Sequence, residues 1–407
     1  MTTKTLKLIF GLLLAFFIVV LDLMAQDDDK VYQDFKAELD ADFRWFPEEG
    51  LYPGQEDTYL SFAVKPEYLR EWQDGKYSLK FAGFFRYDLR DYRRTHVDIR
   101  ELYWQLVQEN AELSIGIKKI FWGVTESAHL VDIINQTDVV ESFDGEEKLG
   151  QPMAHFSYLA NFGTLDFFLM PYFRKQVYPG RKGRLRTPII LDGNRFEFES
   201  GAEEYRPDLA VRYSHYFGVF DVGLSHFYGT GRDPIIAEIP IVDGVPTFNP
   251  IYGIINQTGL DLQATTGAML WKLEVIKRFN DFQDVLATVA GFEYTFGNIA
   301  NSGIDIGILG EYLYDDRDEL AISGLQNDVF MGSRIAFNDI QDTDILFGAI
   351  VDLEHSTKLY SIEAGRRIGD SWNIDVEARI FSDVDQEEFL YVFRNDSFLE
   401  FSLAKFF

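Results

Sequence analysis

The side chains best able to act on a solute are concentrated in one segment, residues 118–148. It combines ammonium groups, carboxylates, an indole and an amide: Lys118, Lys119, Trp122, Glu126, Asp132, Asn135 and Asp138. Acids and bases that face each other across a gap create a local electric field, and such a field selects solutes by charge and dipole. Three interpretations are open for the segment: a charge filter, a structural anchor held by packing and hydrogen bonds, or a specific ligand site.

The sequence offers no convincing catalytic centre. Cysteine is absent, which excludes thiol catalysis and cysteine metal sites. The six histidines are scattered, at positions 96, 129, 155, 215, 226 and 355. His215 and His226 fall on one predicted hairpin but out of register, and Ser225 points to the face opposite His226. We therefore predict that the chain is not an enzyme and needs no cofactor.

A basic stretch and two acidic stretches are further candidates for ligand binding. The basic stretch contains Arg174, Lys175, Arg181, Lys182, Arg184 and Arg186, and would either bind lipopolysaccharide phosphates and attract anionic solutes or be a solvated surface. Acidic residues at 315–319 and 383–388 offer oxygen ligands for calcium. Glu388 stands where a calcium loop of the EF type needs glycine, so we predict no dedicated metal site, only weak divalent binding among lipid headgroups.

The last ten residues form an alternating strand that ends on an aromatic residue. Leu399, Phe401, Leu403 and Phe407 share one face, and Glu400 and Ser402 share the other. A chain that ends inside such a strand needs a partner for its open edge, and the first strand of a closed barrel would be that partner. This ending resembles the C-terminal assembly signal of bacterial outer-membrane β-barrels, carried here by Phe401, Leu403 and Phe407. Lys405 departs from the pattern, which usually has an apolar residue there.

Alternation recurs along the chain in about eighteen segments, which predicts an all-β protein. The clearest strands are 77–90, 164–173, 208–216, 220–228, 268–279, 285–296, 304–314, 328–337, 344–354, 358–366, 372–381 and 398–407, and weaker ones begin at 31, 57, 97, 112, 153 and 255. The alternation fails at Arg100 and Glu101, which would lie on opposite faces, so we predict a bulge or a strand end there.

The connections predict the topology. Short turns at 161–163, 216–219 and 265–268 alternate with long connections near 47–56, 121–151, 174–205, 229–253, 315–327 and 383–396. Outer-membrane barrels have short periplasmic turns, long extracellular loops and an even number of strands. We predict an antiparallel transmembrane β-barrel of about eighteen strands, with sixteen as the alternative, wide enough for an aqueous channel.

The amino terminus predicts export. Lys4 and Lys7 precede an apolar run from Leu8 to Val20, and Ala25 offers a small residue for cleavage before Gln26. This is the pattern of a secretory signal peptide over residues 1–25, with a single barrel domain over 26–407. The run is short for a bilayer span, although a membrane anchor is the alternative.

Two short motifs carry a resemblance to a known family: Trp-Gly-x-x-Glu from Trp122 and Asp-x-x-Asn-x-x-Asp from Asp132. They are similar to motifs of a family of uncharacterised outer-membrane channels distantly similar to alginate-export barrels. The resemblance covers only this connection. It implies that the loop 121–151 folds into the barrel and that the residues named above lie at a constriction. The facing wall would carry inward side chains: Arg86, Arg90, Arg100, Arg334, Arg379, Glu311, Glu363 and Glu377.

The composition fits such a channel. The net charge is −28 at pH 7, so the chain should repel nucleic acid and favour cations or neutral solutes. We expect passive diffusion of small hydrophilic solutes, filtered by size and charge. The alternatives are a specific transporter for an oligosaccharide, acidic polysaccharide or hydrophobic molecule, and a structural or adhesion barrel with an occluded lumen. Expected partners are outer-membrane lipid, lipopolysaccharide and the barrel-assembly machinery, with a homo-oligomer also open.

Overall fold

The chain folds into one closed antiparallel barrel of eighteen strands, each paired with its neighbours in sequence. The computed structural model describes residues 31–235, 241–242, 245–246, 250–317 and 325–407. The barrel strands are β1 (Tyr32–Trp45), β2 (Thr58–Trp72), β3 (Tyr77–Asp88), β4 (His96–Gln108), β5 (Ala111–Lys118), β6 (Gln151–Ala160), β7 (Gly163–Met170), β8 (Asp208–Phe217), β9 (Phe220–Thr230), β10 (Ile254–Thr266), β11 (Met269–Phe279), β12 (Asp284–Phe296), β13 (Asp305–Asp315), β14 (Asn327–Ala336), β15 (Asp344–Asp352), β16 (Lys358–Ile368), β17 (Trp372–Ser382) and β18 (Phe398–Phe406).

The barrel closes where the sequence predicts. β18 pairs with β1 in a register that runs from Glu38 opposite Phe406 to Trp45 opposite Leu399. The predicted partner of the terminal strand is therefore confirmed. The unusual Lys405 faces outward, where its ammonium group lies 4.9 Å from the centre of the Trp372 ring. Its aliphatic stem therefore lies along aromatic surface while the charge sits near the rim.

The strands form because one face of each is apolar and faces outward. On β18, Phe401 and Leu403 are exposed, whereas Glu400 and Ala404 on the opposite face are buried. Large exposed apolar side chains recur on the outer face of the other strands, for example Phe43, Phe85 and Phe347. An outer surface this apolar suits a lipid environment. In the described part of the chain, no helix is long and apolar enough to cross a membrane.

Short and long connections lie mostly at opposite ends of the barrel. Both described termini lie at the end with turns 73–76, 109–110, 161–162, 218–219 and 267–268, which we call the short-turn end. The opposite, long-loop end carries 46–57, 119–150, 171–207, 231–253, 316–326 and 383–397. The alternation is not strict: 280–283 and 353–357 are short although they lie at the long-loop end, and 297–304 lies among the short turns.

Two smaller features complete the fold. The register of β3 with β4 shifts between Ala82 and Gly83, so that Arg100 has no opposite residue; of the two predicted alternatives, a bulge or a strand end, the bulge is the one present. Short ladders pair 197–198 with 251–252 and 241–242 with 245–246 in the long loops, and 3-10 helices span Gly193–Arg195, Glu203–Tyr205, Ile299–Asn301 and Phe389–Phe393. The predicted signal peptide, 1–25, lies outside the described residues.

Candidate constriction and cavity inside the barrel

Two inward-facing carboxylates of the wall hold the backbone of the connection 119–150. Glu274 of β11 accepts hydrogen bonds from the amides of Val124 (2.7 Å), Thr125 (3.1 Å) and Val131 (3.0 Å). The Thr125 hydroxyl donates a fourth bond, at 2.8 Å. Glu311 of β13 accepts from the amides of Glu126 (2.7 Å) and Ser127 (2.8 Å). Backbone amides are thus the main partners of both buried carboxylates, and the His129 ring lies 3.9 Å from Glu274 as an additional cationic neighbour.

The opposite wall binds the same connection through arginines. Arg86 of β3 donates to Glu141 at 2.7 Å, and Arg100 in β4 donates to Asp138 at 2.6 Å. β3 and β4 lie across the barrel from β11 and β13. The connection 119–150 therefore contacts inward-facing side chains on both sides of the lumen.

Trp122 and Asn135 serve as anchors in this arrangement. The Trp122 ring is buried edge-on against Phe168, with centroids 5.6 Å apart, in a cluster with Val131 and Ile134. The Asn135 amide group accepts from the Ile120 amide at 2.8 Å. It also donates to the carbonyls of Lys118 (2.9 Å) and Leu149 (2.8 Å), which ties the two ends of the connection together.

Acids of the connection face cations of the wall next to open space. Glu126 lies 2.8 Å from Arg334 of β14 and 3.4 Å from Lys272 of β11. Asp144 lies 2.5 Å from Arg379 of β17, which also contacts Glu363 (2.6 Å) and Glu377 (2.8 Å). Glu293 of β12 approaches Lys272 and Arg334 at 3.9 Å. We call these eight residues the charged cluster: Glu126, Asp144, Lys272, Glu293, Arg334, Glu363, Glu377 and Arg379.

The remaining predicted site residues lie elsewhere. Lys118 ends β5 against Ser114 and the Tyr103 ring, away from Glu126. Lys119 is exposed, and within the described residues no hydrogen bond or ion pair involves it. Asp132 is buried 3.4 Å from Lys148. Arg90 was expected on the wall, and this is wrong: β3 ends at Asp88, so Arg90 lies in the connection 89–95 and is exposed.

Several groups of the connection have perturbed protonation. Burial opposes charge on His129, but the hydrogen bond with Glu146 and the Glu274 carboxylate 3.9 Å away outweigh that effect and raise its pKa to about 10. Burial raises the pKa of Asp132 in spite of Lys148. For Asp138, burial is outweighed by the His96 ring 3.6 Å away and by the charge of Arg100, so its pKa lies below the ordinary value.

A cavity of about 790 Å³ opens between the connections 119–150, 171–207 and 383–397 and the inner wall of β11–β17. One apolar side chain from each of six neighbouring strands borders it, and we call this set the apolar band: Val289, Leu313, Phe330, Ile350, Leu359 and Phe381. Ile350 lies opposite Phe330 on one side and Leu359 on the other, and Leu359 lies opposite Phe381. Neither this band nor Glu274 was predicted from the sequence. The period-two alternation places the band residues on the inward faces of their strands, but it does not reveal that they form one continuous apolar surface.

Phe84 of β3 is an aromatic residue on the inner wall that does not line the cavity. It faces inward, but the Arg100 guanidinium covers its ring at 4.5 Å from the centroid, and the side chain is buried. Phe84 therefore lies outside the cavity described above.

The basic stretch at 174–186 is mostly engaged within the protein. Arg184 and Arg186 are buried: Arg184 donates to Asp396 at 2.7 Å, and Arg186 stacks on Tyr52 at 4.3 Å from the ring centre. Arg174 donates to Asp98 at 2.6 Å. These three arginines hold the connection across the long-loop end, so they do not form the phosphate-binding surface considered from the sequence.

One group of side chains has the composition of a metal site. Ligand atoms of Asp352, His355 and Glu388 lie within 4.8 Å of one another at the long-loop end. Gln326 already donates to Asp352 at 3.0 Å and to Glu388 at 3.3 Å, and Thr357 donates to Glu388. Burial raises the pKa of Glu388. Glu388 belongs to the acidic stretch 383–388, but its neighbours in space come from other connections, which spacing along the sequence does not reveal.

Solved structures with a similar fold are outer-membrane barrels. OccD3 (OpdP) of Pseudomonas aeruginosa aligns with a TM-score of 0.51 at 8% identity over 92% of this chain and 90% of that chain. Wzi of Escherichia coli, an outer-membrane protein involved in group 1 capsule assembly and a carbohydrate-binding β-barrel, aligns at 0.53 and 10% identity over 92% and 84%. A mutant Rh. blastica porin aligns at 0.46 and 11% identity over 92% and 100%. Neither a protein-family model nor a curated protein sequence matches the chain.

At these identities the likeness concerns the fold alone. The closed eighteen-strand barrel and its apolar outer surface are those of a porin-like barrel in the outer membrane of a Gram-negative bacterium.

Proposed function

We propose that the chain is a passive diffusion channel for small hydrophilic solutes, filtered by size and charge where the connection 119–150 meets the wall. The observation that carries the proposal is the pairing of acids on the connection with cations on the wall, Glu126 with Arg334 and Asp144 with Arg379. Charges arranged in this way create a field across the path that polar solutes must follow. The signal peptide, if cleaved as the sequence predicts, would deliver the chain to this membrane.

The mechanism needs no energy source. A solute would enter from the long-loop end, lose part of its hydration in the cavity and pass the charged cluster. There, its own charge would compete for ion pairs that already exist, and the surplus of carboxylates would favour cations. Glu274 and Glu311 would act only as positioning residues, because their carboxylates are occupied by backbone amides.

A specific transporter is the second candidate function, and the apolar band favours it. A general pore for hydrophilic solutes does not need apolar side chains on its inner wall, because such a lumen is normally polar. A saturable site in the cavity would distinguish the transporter from the general pore. Wzi shows that a barrel of this fold binds carbohydrate, which keeps an oligosaccharide among the solutes to test.

The test of the diffusion channel is the single-channel current of the purified, refolded protein in a planar bilayer under a potassium chloride gradient. We expect a steady open-channel current whose reversal potential shows cation preference. The variants Glu126→Gln and Asp144→Asn should weaken that preference, whereas the control Glu354→Gln, at the long-loop end outside the charged cluster, should not. A heat-modifiable barrel that passes no current would contradict the proposal.

A further inference from the structure

The apolar band faces a space that the fold does not fill. Leu130 and Leu325 pack against the part of the band formed by Val289, Leu313 and Phe330, which explains the burial of that part. Ile350 and Leu359 are only partly buried and border the cavity. Apolar surface left open inside a polar lumen costs free energy, and a bound apolar group would recover it.

Aromatic rings continue the apolar surface beyond the band. Phe143 lies edge-on to Phe381 and to Phe393, with centroids 5.4 Å apart in each case, and Phe389 lies 5.8 Å from Phe393. All four rings border the cavity. Faces of aromatic rings attract cations, and quaternary ammonium groups are the ligands that use this attraction most.

The charged cluster next to the band also favours a cation. The charged cluster contains five carboxylates, namely Glu126, Asp144, Glu293, Glu363 and Glu377, and three cations, namely Lys272, Arg334 and Arg379. On β14, β16 and β17 its members lie two to four residues nearer the short-turn end than the apolar band, which is roughly 7–13 Å. An apolar group on the band could thus carry a cation that reaches these carboxylates.

The arginines on the other side of the cavity do not reverse this preference. Arg232 is held by Asp208 at 2.9 Å, Arg317 by Asp315 at 2.5 Å, and Arg278 by Gln257 at 2.8 Å. Their donors are directed into the wall and its connections. Glu363 on β16 has the most exposed side chain of the charged cluster, at 46%, and it shares Arg379 with Asp144 and Glu377.

We infer that the cavity binds an organic cation: a substituted ammonium whose apolar body rests on Ile350, Leu359 and the phenylalanine rings. The volume of the cavity lies in the usual range for sites of small molecules. This inference rests on the proposed function, because it treats the cavity as part of the solute path. It names the solute class that would be retained before passing the charged cluster.

The experiment is saturation-transfer NMR with the full chain in lipid nanodiscs, which detects binding whether or not the barrel conducts. Benzyltrimethylammonium is the probe. Benzenesulfonate, which matches its ring but carries the opposite charge, and tetramethylammonium, which lacks the ring, are the comparisons. We expect saturable transfer to benzyltrimethylammonium, with binding at least roughly tenfold weaker for the other two, a difference of about 1.4 kcal/mol.

Variants locate the site. The double variant Ile350→Asn and Leu359→Asn should weaken binding of benzyltrimethylammonium by roughly tenfold or more, because it replaces the exposed apolar surface with amides. Glu363→Gln should weaken the binding of benzyltrimethylammonium and should not strengthen the binding of tetramethylammonium. The control Ile340→Asn, in the exposed connection 337–343, should leave binding unchanged.

Each outcome separates the two proposals. Equal binding of benzenesulfonate would overturn the charge preference, and unchanged binding in the double variant would overturn the location. A conducting channel that binds none of the three probes would overturn the inference and leave the diffusion channel standing. Binding by a barrel that passes no current would support the inference as a site and contradict the proposed channel.

Discussion

At the scale of single residues, the interior depends on carboxylates that are held mainly by backbone amides. Glu274 is fully buried on the inner wall, yet it accepts four hydrogen bonds from the residues 124–131 and lies 3.9 Å from His129. A carboxylate can accept several such bonds at once, and this stabilises both its charge and the backbone that donates them.

Replacing Glu274 with alanine should release the connection 119–150 from the wall while the barrel still folds. The lost bonds leave buried amides without acceptors, at a cost on the order of 3 kcal/mol. Limited proteolysis with trypsin should then cut at Lys148, which the wild-type protein protects. The control is Glu67→Ala, an exposed inward glutamate near the short-turn end. Continued protection in Glu274→Ala would show that the other contacts suffice.

His129 should make this attachment depend on pH. Its pKa in the folded protein is raised to about 10, above the ordinary value of about 6.5. The stabilisation by its charged form is therefore fully present below about pH 6.5 and is lost as the pH rises through about 10. A spin label on Glu147→Cys, feasible because the chain has no other cysteine, should become more mobile across this interval.

The histidine variant supplies the control for that measurement. In His129→Gln the label should be mobile at all these pH values and show no transition. A transition of the same size in the variant would assign the pH dependence to another group.

At the scale of elements, the sequence predicted all eighteen barrel strands, because period-two alternation is strong where one face meets lipid. Most of their bounds agree within two or three residues, and the consecutive charges at Arg100 and Glu101 indicated a bulge or a strand end, of which the bulge is present. The inner contacts were less predictable. Which wall a connection binds depends on distant strands, and spacing along the chain does not place Glu274 beside Val124.

Trp122→Ala should loosen the connection more than any charged substitution. The indole is 7% exposed and packs on Phe168, and removal of a buried aromatic side chain typically costs 3–5 kcal/mol. We expect larger and noisier single-channel currents with an unchanged heat-modifiable barrel. The control is Trp372→Ala, whose outward-facing ring is 41% exposed. Identical currents from Trp122→Ala and the wild type would mean that this connection does not limit the pore.

At the scale of the whole molecule, an acidic barrel surrounds a lumen of mixed character. Charge and apolar surface occupy different levels of β12, β14, β16 and β17, which the average composition conceals. The net charge of −28 correctly indicates that carboxylates outnumber cations in the charged cluster. It gives no indication of the apolar band, because six residues among so many change the mean hydropathy very little.

The most direct test of the central claim is chemical modification at Glu126 during current recording. In Glu126→Cys, the sole cysteine would lie in the charged cluster, and a positively charged methanethiosulfonate reagent should reduce the single-channel current and its cation preference. The same reagent on Ile340→Cys, at the short-turn end, should change neither. A current that persists unchanged after complete labelling of Glu126→Cys would show that ions do not pass this residue, and would contradict the constriction.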